Sequence, residues 1–337
     1  MRIGQFTGFY PSRPFWAVSN IDFTDPRILE NFSKLMEEEV FQYSDEVFSI
    51  KICRDGMIML RMEALEQDDS EARKLPEDTV RKWGEYLDYL NAFYLLLDSS
   101  VINVMNVSYF NLHEITTRDV IRVRYENGKV AGYNVAIESV ASTFQMGRSR
   151  SSYAGIPIQY DSRISMRYLI SLEAISGAVD SFRLVVSKPG VEKVLASFTK
   201  SIAEYKVGNY ETSIILAWFI SEQIISDIWN GQIASLSKPL YNGQQRINRD
   251  RRDYLKSRDF PVGVVSNMLE LWDLLPFDLF KDVDTVRGFR NKIVHEASKY
   301  TSTAKDAQLA IETARKLFMR SNNIDFQPSL GFYVIGL

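Results

Sequence analysis

Residues 286–298 read Val286-Arg287-Gly288-Phe289-Arg290-Asn291-Lys292-Ile293-Val294-His295-Glu296-Ala297-Ser298. At about 100° per residue, Val286, Phe289, Ile293 and Ala297 form one apolar stripe. Arg287, Asn291, His295 and Ser298 occupy the other side, and Arg290 stands at its edge. That is the pattern of a helix packed on a core by one face. Asn291 and His295 are i,i+4 neighbours, within reach of a hydrogen bond. Arg290 and His295 lie about 140° apart on an ideal helix, so one chain does not bring them together simply. A two-fold dimer packing two such helices gathers two arginines and two histidines in one cleft.

The surroundings of this helix are also helical. Asp282 or Asp284 is placed to cap it, and it is expected to run to about Ala297. Thr303-Ala304-Lys305-Asp306 fits a capping box that opens a last helix to about Met319. Upstream, Val191 to Tyr205 is amphipathic, and Lys206 to Tyr210 is a turn. Glu211 to Trp229 is apolar nearly all round, so it belongs at the centre, with Asn230-Gly231 as its stop. Residues 232–245 read as a loop. Arg249–Ser257 and Val264–Leu275 read as helices parted by Pro261.

The first half is different. Asp25-Pro26 starts a helix expected over Arg27 to Val40. Phe48 to Leu65 reads as two strands broken at Arg54-Asp55-Gly56, and Gln67 to Leu75 as a loop. Pro76 to Ser99 carries Trp83, Leu87, Leu90, Tyr94 and Leu97 at helical spacing. Strands are expected near Ile102 to Phe110. A hairpin is expected over Val120 to Ile137, turning at Asn127-Gly128. Met146 to Ser152 reads as an exposed loop and Ser162 to Val185 as a helix. Ser187-Lys188-Pro189-Gly190 breaks the pattern. The fold class is therefore α+β. A mixed domain over 1–187 precedes a helical domain over 190–320 and a tail over 321–337.

Composition narrows the function. The 337 residues exceed what one core usually serves. The net charge of −3 announces no nucleic-acid binder, so such binding needs a local basic patch. One cysteine, Cys53, makes no internal disulfide and reads as a buried thiol on a strand. With two histidines, His113 and His295, a His/Cys metal cage is not expected, and no cofactor is called for. His113, expected at the end of a strand, reads as structural, and Asp68-Asp69 as solvated carboxylates. Phosphate-cradling glycine motifs are absent. The first residues lack a signal pattern and no apolar run reaches about 18 residues, so the expectation is a cytoplasmic protein outside the membrane.

An Arg, a polar residue, three more residues and a His, late in an all-α region, is the HEPN signature, and Arg290 to His295 resembles it. The buried helix with Ala217-Trp218 and Ser221-Glu222, and the last helix after Thr303, resemble that family's helices too. The resemblance covers about residues 190–320; residues 1–185 resemble no family. It implies a metal-independent endoribonuclease, of the kind found among toxins and antiviral defence effectors, working as a homodimer. The chemistry uses the RNA's own 2′-OH as nucleophile. A base removes its proton and an acid protonates the leaving 5′-oxygen. Imidazole, with an ordinary pKa of about 6.5, serves either role. A guanidinium stabilises the charge at phosphorus. His295 is then the acid/base, Arg290 the clamp, and Asn291 the group that fixes the imidazole tautomer or holds a phosphate oxygen.

Arg246, Arg249, Arg251, Arg252, Lys256 and Arg258, set against Asp250 and Asp253, make a local balance of +4. With Arg287, this stretch is the candidate RNA contact; the plain alternative is a solvated helix face. Tyr254 and Phe260 stack on bases or anchor the helix. Glu222 either pairs with an arginine of the site or faces a groove. By analogy the N-terminal domain would sense a trigger, bind a regulatory partner or select the substrate. The rival reading, from a different class, is a non-catalytic HEPN module that binds a nucleotide or protein, or dimerises.

Overall fold

The computed structural model describes residues 4–22, 32–66, 76–126, 129–135, 152–153, 156–157, 167–295 and 300–331. The chain forms an antiparallel sheet followed by a helical region, an α+β protein. It divides into two compact units, Met1–Thr199 with Gln327–Leu337, and Lys200–Phe326. The units thus part some ten residues after the break expected at 187–190, and the residues from Gln327 onward group with the first unit. Gln327 N–H donates to Ser99 Oγ at 2.7 Å.

In the first unit, strands β1 (Gly4–Phe9), β3 (Glu39–Ser44), β4 (Phe48–Cys53), β5 (Ile58–Met62), β6 (Ile121–Glu126) and β7 (Lys129–Val135) make one sheet. Its order is β3-β4-β5-β1-β6-β7, antiparallel at every step. The β4–β5 hairpin turns at Gly56, whose φ of +85° suits glycine. A short β2 (Trp16–Ala17) pairs in parallel with β10 (Leu169–Ile170), and β8 (Ser152–Tyr153) pairs antiparallel with β9 (Ile156–Pro157). Helix α1 covers Phe32–Met36 and α2 covers Glu63–Glu66. Helix α3 (Pro76–Met105) packs on α4 (Leu172–Val186). Phe182 meets Phe48 and Phe93 edge-on, at 5.1 and 5.5 Å, which ties the sheet and both helices into one core. A buried ion pair, Arg122 to Glu66 at 2.8 Å, is completed by Thr7, Gln5 and the Tyr86 hydroxyl.

Four expectations for this half fail. The helix expected to reach Val40 stops at Met36, because Glu39–Ser44 pairs with β4, Tyr43 opposite Ile50. No strand forms near Ile102–Phe110. There α3 runs on to Met105, burying Val101, and ends where Asn106 takes φ +53°. The helix expected over Ser162 to Val185 is interrupted at 167–171, which are not helical, and starts at Leu172, capped by Ser171, whose hydroxyl accepts from Ala174 N–H; Ser162 to Met166 lie outside the described residues. His113 lies in an irregular segment, not at a strand end. The Asn127-Gly128 turn, the 67–75 loop, the Met146–Ser151 part of the expected loop and the Asp25-Pro26 start lie outside the described residues. Cys53 is buried at the end of β4, as its setting suggested.

The second unit takes up the end of α5 (Val191–Lys206), followed by α6 (Tyr210–Ser237), α7 (Arg249–Leu255), α8 (Val262–Leu271), α9 (Phe277–His295) and α10 (Ala304–Asn322). Helix α6 is central and packs against α8, α9 and α10. Asn230-Gly231 does not end it, because Ile233 is buried one turn further on and burial outweighs the glycine. The 232–245 stretch is not all loop: β11 (Leu240–Tyr241) and β12 (Gln244–Gln245) pair across Asn242-Gly243, both at positive φ. Thr303 and Asp306 form the expected capping box. Among the described residues, no helix is long and apolar enough to cross a membrane.

Candidate functional site

Helix α9 begins at Phe277, a turn before either Asp282 or Asp284, so neither aspartate caps it. The earlier start follows from Leu279, Val283 and Val286, buried at three-to-four spacing, which dock the first turns before the polar stretch is reached. Instead, Asp282 accepts from Lys316 of α10 at 3.0 Å, and Asp284 pairs with Arg287 at 2.5 Å. Val286 and Ile293 are buried, and Phe289 is half-buried, stacked on Tyr300 with ring centres 6.4 Å apart. Ala297 and Ser298 lie outside the described residues.

The polar side is open to water. Asn291 and His295 are exposed, and His295 is the last residue of the helix. The hydrogen bond geometrically available between them is not made. The Asn291 amide oxygen accepts from Arg290 Nη1 at 3.1 Å instead. Arg290 is half-buried at the edge of the apolar stripe. Its guanidinium is therefore steered toward Asn291, and the His295 imidazole makes no hydrogen bond among the described residues. Arg290 and His295 stay on diverging sides of one helix, about 140° apart.

Gly288 shares the face of Asn291 and His295, within about 60° around the axis. A Cβ built there would meet nothing within 4 Å. A mid-helix glycine costs about 0.5–1 kcal/mol against alanine, and no packing among the described residues requires it. Sequence reading passed over it. Lys292 lies 5.5 Å from the Tyr300 ring centre, and burial, with Asp306 beside it, pushes the Tyr300 hydroxyl up from its ordinary pKa.

Glu222 on α6 is half-buried and makes no ion pair with any arginine among the described residues. Arg287 also contacts α8: a side chain at Gly263 would overlap its guanidinium. The basic segment forms α7, which buries no residue. Arg249 reaches Asp253 at 3.9 Å, and Arg251 Nη1 donates to the Arg246 carbonyl at 3.1 Å. Arg246, Arg252, Lys256 and Arg258 are exposed, and the last three form no ion pair among the described residues. Phe260 is an anchor: it stacks on buried Trp229, with Tyr254 edge-on to it at 5.3 Å. Trp272, expected within a helix over Val264–Leu275, lies just past the end of α8 at Leu271 and stacks on the same Trp229. Compared with known proteins, the chain matches no family model, no curated protein and no solved structure.

Proposed function

We propose that α9 carries a metal-independent endoribonuclease site of HEPN type, assembled from two copies of the chain. The observation that carries this reading is the row Gly288, Asn291 and His295, open to solvent on one face of a helix whose opposite face is docked. A histidine serving as a core residue would be buried; this one is exposed at a helix end. The open glycine suits close approach of a second α9 across a two-fold axis, which resolves the divergence of Arg290 and His295 by taking one from each protomer. The N-terminal unit then fits a sensing or regulatory role, by analogy with toxins and defence effectors.

In this reading His295 removes the 2′-OH proton or protonates the 5′-oxygen as it leaves. The 2′-oxygen bonds to phosphorus while the P–O5′ bond breaks, giving a 2′,3′-cyclic phosphate and a 5′-hydroxyl. Arg290, held by Asn291, meets the charge that builds on the non-bridging oxygens. The test is cleavage of a mixed RNA in EDTA beside His295→Ala and Arg290→Ala. Cutting that leaves cyclic-phosphate ends and disappears in both variants is expected. Cutting that persists in both removes α9 from the chemistry. A dimer that holds nucleotide without cutting, even with its regulatory partner present, leaves the non-catalytic reading.

A further inference from the structure

We propose that Trp272 and Tyr254, with Arg252, Lys256 and Arg258 in and just after α7, which form no ion pair among the described residues, make a stacking surface for single-stranded RNA. The proposal deepens the ribonuclease reading and rests on it for the identity of the ligand. Its basis is an aromatic cluster built on one keystone. Trp229 of α6 is buried, and its Nε1–H donates to the Leu255 carbonyl at 2.9 Å, at the end of α7. Two rings lie nearly parallel to it: Phe260, with centres 5.9 Å apart at 23°, and Trp272, 5.6 Å at 15°. Tyr254 stands edge-on to Phe260. The inner members are covered, but Trp272 keeps 43% of its surface in water and Tyr254 keeps 56%.

Two physical points favour a base as the occupant. First, the indole of Trp272 is held flat by Trp229, so a base that stacks on what remains exposed meets a ring already ordered. Second, the rings adjoin a helix with charge and no buried residue, where six basic residues face two acidic ones over 246–258. Arg252, Lys256 and Arg258 have no acidic partner among the described residues, so a polyanion can take them without breaking an ion pair. A greasy protein partner would cover Trp272 and leave those charges unanswered. A strand of RNA answers both, bases on the rings and phosphates on the cations. A duplex hides its base faces, so the surface should select unpaired RNA.

The test is fluorescence anisotropy of a labelled 12-nucleotide single-stranded RNA with the full chain carrying His295→Ala, so that the probe survives. Trp272→Ala should weaken binding roughly 5- to 150-fold, the range for loss of one stacked base. Trp272→Phe, which keeps a face, should recover most of it. Tyr254→Ser, at an exposed position, gives a second reading should Trp272→Ala melt early. Arg252→Gln with Lys256→Gln should lower the slope of log affinity against log salt by about 0.7 for each charge. Equal affinity of wild type and Trp272→Ala overturns the proposal. So does an RNA hairpin that binds as tightly as the single strand, or a Trp272→Ala protein changed only in its oligomeric mass, which would mean that a second copy covers this face. The two readings fail separately. His295-dependent cutting that is indifferent to Trp272 and Tyr254 sinks the stacking surface alone. Trp272-dependent binding without any cutting sinks the nuclease and leaves the surface.

Discussion

Alanine at Gly288 has opposite effects on a lone protomer and on a dimer joined through α9. Among the described residues the new methyl meets nothing within 4 Å. The helix gains about 0.5–1 kcal/mol from the reduced backbone entropy of the unfolded state and better propensity. For a unit of this size that raises the melting temperature by about 2–4 °C. Two α9 helices facing each other across a two-fold axis have no such spare room. Each protomer then adds a methyl to the contact, and overpacking costs about 1–3 kcal/mol, which weakens the dimer by roughly 5- to 150-fold. Sedimentation equilibrium gives the dimer constant, and melting at low protein concentration gives the protomer's stability, since dimerisation itself raises the melting point. The expected result is a Gly288→Ala protein that is more stable as a monomer, less dimeric and slower to cut RNA. Should it gain stability while dimer constant and cutting stay the same, the face bearing His295 is no interface, and the two-chain site is refuted.

Other consequences follow from buried groups. Arg122→Met leaves Glu66 in a buried position without its cation, and should cost about 3–5 kcal/mol; urea unfolding should show part of this restored by adding Glu66→Gln, and a loss under about 1 kcal/mol would mean that the pair is better hydrated than its burial implies. Trp229→Phe keeps a ring under Trp272 but loses the bond to the Leu255 carbonyl. It should cost about 1–3 kcal/mol, read as faster hydrogen exchange over 249–255, yet weaken RNA binding less than Trp272→Ala does. His113 is held below its ordinary pKa by burial, with Asp119 pulling the other way, and its Nδ1 has no hydrogen-bond partner among the described residues. Because the folded value lies below the unfolded one, its contribution to stability is complete above about pH 6.5 and is lost as pH falls beneath that value. His113→Phe should flatten the melting temperature between pH 7 and pH 5, and an unchanged pH profile would assign the acid sensitivity elsewhere.

Much of the fold was readable because local rules and tertiary packing agreed. The Gly56 turn needs positive φ, the Thr303–Asp306 box closes on its own backbone, and Pro76 opens a helix with a long apolar face. Misreadings arose where a partner distant in sequence decided. Glu39–Ser44 is a strand because β4 offers it a ladder. The stretch after Trp229 stays helical because Ile233 finds a core. The start of α9 was placed late because aspartates at 282 and 284 resemble caps, yet both serve side-chain ion pairs. At the site, spacing alone gave the divergence of Arg290 from His295. It did not show Arg290 turning to Asn291, Gly288 standing open, or Trp272 lying on Trp229, since each depends on rotamers or on residues 43 positions apart, as 229 and 272 are.

Helix α8 connects the two proposed surfaces. Near its start, Gly263 has no side chain, and the Arg287 guanidinium of α9 occupies that space. Just past its end, Trp272 lies on Trp229. The helix between them has ten residues, about 15 Å of rise, so Arg287 and the stacking surface are held at a fixed separation by one rigid element. Arg287 lies on α9 about two turns before His295, and its only ion pair among the described residues is the local one with Asp284. An exposed pair of that kind contributes little, about 0.3–0.5 kcal/mol, so a phosphate can displace the aspartate at small cost. If RNA stacks on Trp272 as proposed, Arg287 is a further cation along α8, carried by the same helix as His295. The glycine at 263 is what leaves room for that cation, and any larger residue there must move Arg287 off this line while leaving Trp272 in place.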